Sequence, residues 1–361
     1  MSNSSIFESP YLHPELRRKL DTIGSIFIRH DGILEGWEVL ERTYHVGFRV
    51  NEATTGYIYG HSRCGKTELA HRFIKQLTGT RPIRGPVCQF VEGNGLRIVY
   101  LDLTNGSSPL PATIMLLRLF RDIKANSRLS QPDATSRLID NLLLHRPDML
   151  FVDEAQQAFR GDGTYSVNAL GEWLLPLQNA RACRSALIGS PKLDRLFKTV
   201  EAARERHGGI AYLDPFSFKT EIDISIFRTF LRMFFEKLPF AKTCIVNDDG
   251  TVNIRRASDI YYSSRGGPGG VANLCEAATC AAFRRAAGAV PTTLELSDFA
   301  GGFDFLYRHD VRMKGVNPFL ADDRKSIPAI PLTPDEEEDP EEKPKPKGNS
   351  KQSKVGGRIH A

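Results

Sequence analysis

The segment Gly60-His61-Ser62-Arg63-Cys64-Gly65-Lys66-Thr67 constrains the fold more than any other, because it fits the pattern GxxxxGK[ST] in full. The β-prone run Gly56-Tyr57-Ile58-Tyr59 ends at its first glycine, and apolar residues at helical spacing follow from Thr67 to Leu77. Between a strand and a helix, such a loop turns successive backbone N–H groups toward one centre, where they bind phosphate oxygens. The sequence therefore predicts a P-loop.

The side chains of this loop predict ATP and Mg²⁺ as its ligands. Lys66 is expected to reach the β- and γ-phosphate oxygens, and the Thr67 hydroxyl to ligate the metal ion. The residues predicted to bind the nucleotide are Gly60, His61, Ser62, Arg63, Cys64, Gly65, Lys66, Thr67 and Glu68.

Strands and helices alternate along the rest of this region. Further strands are predicted at Leu96–Leu101, Met149–Val152 and Ser185–Gly189. Helices are predicted at Pro14–Leu20, Ile33–Tyr44, Thr67–Leu77, Ala112–Asn126, Asp133–Leu144, Thr220–Leu238 and Gly270–Ala286, with a short helix near Leu193–Phe197 and its exit at Ala203–His207. The alternation predicts an α/β fold with a parallel sheet flanked by helices.

Composition and pattern divide the 361 residues into four parts. We predict an N-terminal lead-in segment at 1–50, an ATPase core at 51–215, a small helical lid at 216–310 and a disordered tail at 311–361. The tail prediction rests on an acidic block, Asp335–Glu342, followed by a basic block, Lys343–Arg358. Such blocks cannot bury enough apolar surface to fold alone.

An acidic pair follows a predicted strand in Leu150-Phe151-Val152-Asp153-Glu154. Downstream of a P-loop, an apolar strand that ends in a carboxylate places Asp153 to hold Mg²⁺ through water. The adjacent carboxylate of Glu154 is then placed to polarise the attacking water. The sequence thus predicts an ATPase that hydrolyses ATP to ADP and phosphate.

Three more residues are candidates for the catalytic site. Ser190 follows the strand Ser185–Gly189, and ligands of open parallel sheets bind at the carboxyl ends of strands, so its hydroxyl is a candidate γ-phosphate sensor. Arg204 and Arg206 lie at the end of a predicted helix, where one of them could reach the γ-phosphate of a neighbouring subunit. The alternative for Ser190 is an ordinary turn that leaves the strand. The alternative for Arg204 and Arg206 is a solvated helix end.

Basic residues on the predicted helix Ala112–Asn126 suggest contacts with nucleic acid. Arg118, Arg121 and Lys124 recur every third residue and would share one face, which could follow a phosphate backbone without reading bases. Arg160, in the loop after the acidic pair, is a weaker candidate of the same kind. Solvated surface charge is the alternative for all four.

Overall composition excludes several other classes of protein. The hydrophobic content of 41% and charged content of 25% are those of a globular chain rather than a fibrous or disordered one. The net charge is +5 although the tail carries an acidic cluster, so a polyanionic partner is plausible. No apolar run is long enough to span a bilayer, and the cysteines are scattered without metal-site spacing. We expect a soluble, cytoplasmic protein with reduced thiols and no membrane partner.

Four segments together resemble a known family. They are Gly60–Thr67, Asp153-Glu154-Ala155-Gln156, Ile188-Gly189-Ser190-Pro191 and Leu213-Asp214-Pro215-Phe216, and they look like AAA+ ATPases of the TniB/TnsC type, which regulate transposases and are related to MuB and IstB. The family pattern usually has threonine where Ser190 stands. In the lid, Ala272 and Asn273 occupy the position where many AAA+ relatives carry a sensor arginine.

The resemblance implies a function in DNA transposition. It implies that subunits assemble with ATP into rings or helical filaments on double-stranded DNA, without sequence specificity, and that the chain contacts a transposase and a target-selector adaptor. Two alternatives stay open: a nucleotide-switched signalling or defence ATPase without DNA affinity, and a helicase loader. An origin-specific initiator is disfavoured because no base-reading module is evident after residue 290.

Overall fold

A computed structural model describes residues 13–46, 54–85, 87–103, 108–159, 164–287, 289–310 and 316–321. The helices are, in chain order, α1 (Pro14–Ser25), α2 (Asp31–Val46), α3 (Lys66–Thr78), α4 (Pro109–Leu119), α5 (Gln131–His145), α6 (Thr164–Asn179), α7 (Asp194–Thr199), α8 (Glu201–Glu205), α9 (Glu221–Phe235), α10 (Ile254–Ser264), α11 (Pro268–Arg285) and α12 (Leu296–Tyr307). The strands are β1 (Thr55–Gly60), β2 (Cys88–Gly93), β3 (Leu96–Asp102), β4 (Met149–Asp153), β5 (Ser185–Gly189), β6 (His207–Leu213), β7 (Lys242–Thr243) and β8 (Thr293–Leu294).

The central sheet has the strand order β2-β3-β4-β5-β1-β6. Strands β3, β4, β5, β1 and β6 are parallel, and β2 pairs antiparallel with β3 at one edge. The predicted α/β fold with a mostly parallel sheet flanked by helices is confirmed. Strand β1 lies between β5 and β6, and β5 separates it from β4. The loops that leave β1, β4 and β5 therefore lie close together at the carboxyl ends of the strands.

Helices cover both faces of this sheet, so its central strands are buried on both sides. Successive residues of β1 point to opposite faces: Tyr57 packs into the cluster formed with α4, α5 and α6, and Ile58 into the cluster formed with α2 and α3. All five residues of β4 are buried, including Asp153. This burial holds the ends of the strands, and therefore the functional residues, in fixed positions.

The helices α9 to α12 form a third hydrophobic cluster with α1, to which α1 contributes Ile23. Helix α12 packs directly on α11: a Cβ at Gly302 would lie 2.7 Å from the backbone nitrogen of Ala278. Glycine is required there for the two backbones to approach. The sequence pattern predicts α9 and α11 but not α10 or α12.

One predicted helix is wrong at its boundary, and some elements were not predicted. The predicted helix Ala112–Asn126 ends at Leu119, and Arg121 adopts φ +57°. The cause is Asp122, whose carboxylate accepts a hydrogen bond from the backbone N–H of Lys124 at 2.8 Å and thereby forms a turn instead of another helical turn. Strands β2 and β6 and helix α6 have no counterpart in the sequence analysis.

The predicted tail lies outside the described residues except at 316–321. In that segment the Phe319 side chain is buried in the hydrophobic cluster of α1 and α9 to α12, with its ring centroid 5.6 Å from that of Phe299. This part of the predicted tail is therefore packed against α12 rather than disordered. Within the described ranges, no helix is both long and apolar enough to cross a membrane.

Candidate nucleotide-binding site

The glycine-rich loop between β1 and α3 has the backbone that phosphate binding requires. Gly60 adopts φ +147°, and a Cβ there would lie 2.2 Å from the carbonyl oxygen of Leu213 on β6. Gly65 adopts φ +92° as the residue before α3, and no side chain caps the helix. Both conformations favour glycine. The N–H groups of the first turn of α3 therefore point toward the loop, where the positive end of the helix dipole favours an anion.

The Lys66 side chain folds back over this loop. Its ammonium group donates hydrogen bonds to the carbonyl oxygens of Gly60 at 2.7 Å and His61 at 2.5 Å. The charge is thus held beside the loop's N–H groups, in the position expected of a lysine that binds β- and γ-phosphate oxygens.

The other predicted residues of the loop differ in their exposure. Ser62 and Arg63 are exposed, and the His61 imidazole lies 3.8 Å from the Asp214 carboxylate. Cys64 is buried, which raises the pKa of its thiol to about 12. A buried thiol with such a pKa packs as an apolar group at neutral pH rather than as a thiolate.

The Glu68 side chain points into a cluster of arginines. Its carboxylate is paired with three arginines: Arg72 at 2.6 Å, Arg84 at 2.7 Å and Arg81. The Glu68 side chain is therefore committed to this cluster, and only its backbone N–H is left for a role in phosphate binding.

Asp153 ends β4 and is 2% exposed. Its carboxylate accepts hydrogen bonds from the Tyr100 hydroxyl at 2.8 Å, from the Glu154 backbone at 2.9 Å and from the side chain of Thr67. Burial raises the pKa of the Asp153 carboxyl to about 6, although the hydrogen bonds from Tyr100 and Thr67 act in the opposite direction. The two residues predicted to hold Mg²⁺, Thr67 and Asp153, are therefore in direct contact.

This pair fits a magnesium ion. Mg²⁺ takes oxygen ligands and is usually held by one or two carboxylates together with waters and substrate phosphates, rather than by a dedicated cage of side chains. A hydroxyl and a carboxylate that adjoin the phosphate-binding loop provide such a donor set.

Glu154 follows Asp153 with φ +54°, which is uncommon for a residue with a side chain. The chain then enters the 3-10 helix Ala155–Phe159, where the Gln156 amide donates from Nε2 to Glu154 Oε2 at 2.5 Å. The Oε1 atom of the same amide accepts from the backbone N–H of Ser190 at 2.9 Å. Gln156 thus connects Glu154 with Ser190. Both of these are site residues predicted from the sequence, whereas Gln156 was given no role there.

Ser190 lies at the exit of β5, as predicted. Its Oγ atom is buried, and no hydrogen-bond partner for it lies among the described residues. Buried hydroxyls normally have a partner. A hydroxyl without a hydrogen-bond partner at the carboxyl ends of the strands is suited to bind a phosphate oxygen.

Residues 50–197 match the family model described as AAA domain. These residues form an AAA domain. The match covers the P-loop, β4 with its acidic pair and β5 with Ser190, which are the parts of the site described above. No curated protein matches the sequence.

Solved structures share the fold of this AAA domain and of the helices that follow it. Cdc6p from Pyrobaculum aerophilum is 12% identical, with a TM-score of 0.51 over 78% of this chain and 69% of that one. The Orc1 protein from Aeropyrum pernix, solved in complex with DNA, is 15% identical, with a TM-score of 0.51 over 81% and 69%. The Orc2 protein of the same organism, in ADPNP and ADP complexes, is 15% identical, with a TM-score of 0.50 over 79% and 70%. The fold is that of the AAA+ P-loop ATPases.

Helices α11 and α12 contact the P-loop of the AAA domain directly. The backbone N–H of Gly269, in the first turn of α11, donates to the carbonyl oxygen of Arg63 at 2.9 Å, and the side chains of Arg63 and Tyr307 are hydrogen-bonded. Neither Gly269 nor its neighbours at the start of α11 offers a sensor arginine. Arg63, which both contacts reach, has φ +64°, a conformation that arginine rarely adopts.

Arg204 and Arg206 lie far from the P-loop of their own chain. They precede β6, whose first residue pairs with Thr55 and whose last pairs with Gly60. Because β1 is six residues long, these arginines lie roughly 20 Å from the P-loop, at the amino ends of the parallel strands. The Arg204 guanidinium donates to the carbonyl oxygen of Phe197 at 3.2 Å. A role for either arginine in catalysis would have to be played in another subunit's site.

The basic residues predicted to bind DNA do not share a helical face. Arg118 lies in the last turn of α4, whereas Arg121 and Lys124 lie in the turns beyond it, and all three are exposed. The prediction that they share one face of a helix is wrong because the helix ends at Leu119. Arg160 lies outside the described residues.

Proposed function

We propose that this chain is a Mg²⁺-dependent ATPase that assembles on double-stranded DNA and regulates DNA transposition. The observation that carries the ATPase part is the contact of Asp153 with Thr67 beside Lys66, with Glu154 as the next residue. This arrangement brings together a phosphate-binding loop, a pair of oxygen ligands and a second carboxylate, which are the parts needed for phosphoryl transfer to water.

The residues of the chain would divide the reaction among them. The loop N–H groups and Lys66 bind the triphosphate and stabilise negative charge on the transferred phosphoryl group. Bound Mg²⁺, held by Thr67 and Asp153, would neutralise charge on the β- and γ-oxygens. Glu154 orients the attacking water, and the Ser190 hydroxyl donates to a γ-phosphate oxygen. The lid, through Gly269 and Arg63, covers the loop.

Assembly into oligomers, as rings or helical filaments, is proposed from the position of Arg204 and Arg206. Since these side chains lie at the amino ends of the strands, far from the P-loop of their own chain, one of them can stabilise the transition state only at a neighbour's γ-phosphate. An arginine supplied in trans raises turnover by about 10³- to 10⁵-fold in other P-loop enzymes. The proposal therefore requires ATP turnover per chain to increase with protein concentration.

DNA binding is proposed from exposed charge and from the related folds. Arg118, Arg121 and Lys124 present three cationic side chains on the surface, and a structure of similar fold, Orc1 from Aeropyrum pernix, is described in complex with DNA. Contacts with a transposase and a target-selector adaptor rest on the motif resemblance alone.

Electron microscopy with duplex DNA tests the assembly. With a non-hydrolysable ATP analogue we expect rings or helical filaments on DNA, and we expect none without nucleotide. Monomers that ignore DNA under both conditions would contradict the proposal and favour a nucleotide-switched protein contact.

The basic residues are tested by DNA-binding titrations across salt concentrations. Replacing Arg118, Arg121 and Lys124 together by alanine should weaken binding to all duplex sequences and lower the slope of log K against log salt by about 3. The matched control replaces Lys219, Arg232 and Lys237, which are exposed on the lid side of the chain. Equal losses in both triple variants would show that the first three residues have no special role.

A further inference from the structure

The side-chain amide of Gln156 connects two parts of the site that come from different strands. Its Nε2 donates to the Glu154 carboxylate after β4, at 2.5 Å, and its Oε1 accepts from the Ser190 backbone N–H after β5, at 2.9 Å. Glu154 and Gln156 are separated by one residue, but Gln156 and Ser190 are 34 positions apart in the chain. The connection therefore exists only in the folded protein.

The chemistry of the two partners fixes the orientation of this amide. The Glu154 carboxylate can only accept hydrogen bonds when ionised, and the Ser190 N–H can only donate. Rotating the amide by 180° would place Oε1 against the carboxylate and Nε2 against the N–H, and both hydrogen bonds would be lost. Glutamine satisfies both partners at once, whereas glutamate at this position would place a second carboxylate against Glu154.

The backbone of β5 is shaped to receive Gln156. A Cβ at Gly189 would lie 2.3 Å from Gln156 Oε1, so a larger residue there would displace the amide. The other end of the connection is also constrained: Glu154 has φ +54°, and its carbonyl oxygen accepts from the Gln157 backbone at 2.8 Å. The Glu154 backbone is thus held, and Gln156 fixes the carboxylate that it carries.

We propose that Gln156 is a positioning residue that holds the Glu154 carboxylate in its productive orientation and ties it to the exit of β5. This inference rests on the proposed ATPase function. Both ends of the Gln156 amide are already bonded, to Glu154 and to the Ser190 backbone, so its role is to position Glu154 rather than to bind ATP. Its loss should therefore lower turnover and leave ATP affinity unchanged.

The test compares single-turnover ATP hydrolysis with equilibrium binding of an ATP analogue. For Gln156→Ala we expect the rate to fall about 10- to 100-fold, since a misplacement of about 1 Å can cost 10²-fold, with the Kd within about twofold of wild type. Gln157→Ala, the next position on the same 3-10 helix, is the matched control and should keep the wild-type rate. Gly189→Ala should reproduce the loss with Gln156 intact, and the unfolding midpoint of each variant shows that it folds.

A double-mutant cycle separates positioning from a general structural effect. If Gln156 acts through Glu154, then Gln156→Ala should cause no further loss in the Glu154→Gln background. An equal loss in both backgrounds, or a wild-type rate in Gln156→Ala, would overturn the inference while the ATPase proposal stands. A wild-type protein without hydrolysis would overturn both.

Discussion

Replacing Glu154 by glutamine should lower ATP turnover by about 100-fold or more while leaving ATP binding intact. General-base catalysis contributes about 10²- to 10⁴-fold, and an amide of the same shape cannot accept the proton. Binding should persist because the phosphates and the metal ion are assigned to Lys66, Thr67 and Asp153, and the backbone hydrogen bond from Glu154 to Asp153 is kept in the variant. The amide oxygen of the substituted side chain can still accept from Gln156, so the local structure should survive.

Phosphate release and binding of an ATP analogue measure these two properties separately. The matched control is Glu236→Gln at the end of α9, where the carboxylate is exposed and far along the chain from the acidic pair. We expect turnover of the control to equal that of wild type. Turnover in Glu154→Gln within a few-fold of wild type would show that another group orients the water.

Replacing Gly60 by alanine should destabilise the fold by about 3 kcal/mol or more. Two costs combine: φ +147° belongs to a region that only glycine adopts readily, at about 1–3 kcal/mol, and the new Cβ would lie 2.2 Å from the Leu213 carbonyl oxygen. The carbonyl belongs to the neighbouring strand β6, so relief would require the sheet to separate at the P-loop.

Urea unfolding of Gly60→Ala and Gly250→Ala checks this expectation. Gly250 also has a positive φ, +79°, but a Cβ there would meet nothing within 4 Å. Its replacement should cost only the backbone strain, about 1–2 kcal/mol. Equal changes in the free energy of unfolding for the two variants would contradict the close packing of β6 on the loop.

The sequence predicts the parts of the site that are contiguous in the chain. The P-loop and the strand Met149–Val152 with its acidic pair are local patterns, in which a few adjacent residues specify both the backbone and the chemistry. The predicted strands are correctly expected to be parallel because helical segments alternate with them along the chain. The contact between Thr67 and Asp153 follows from this arrangement.

Features that depend on distant partners could not be predicted in the same way. The end of α4 is set by Asp122, which pairs with Arg137 on α5 at 2.8 Å. Helix α12 contains two adjacent glycines, which lower helix propensity, and forms because Gly302 allows close packing on α11. The role of Gln156 appears only when β5 places Ser190 beside it. In each case tertiary contacts override or complete a local preference.

The chemistry of the site rests first on whether the P-loop binds ATP through Lys66. Calorimetric titration of an ATP analogue with Mg²⁺ into wild type, Lys66→Ala and Lys75→Ala decides this most directly, since Lys75 is exposed on the same helix. Hydrogen bonds to charged groups contribute about 1.5–3 kcal/mol, which corresponds to roughly 10- to 100-fold in affinity. We expect saturable binding by wild type and Lys75→Ala, with Lys66→Ala weaker by at least about tenfold. Equal binding by all three proteins, or none by wild type, would contradict ATP binding through Lys66.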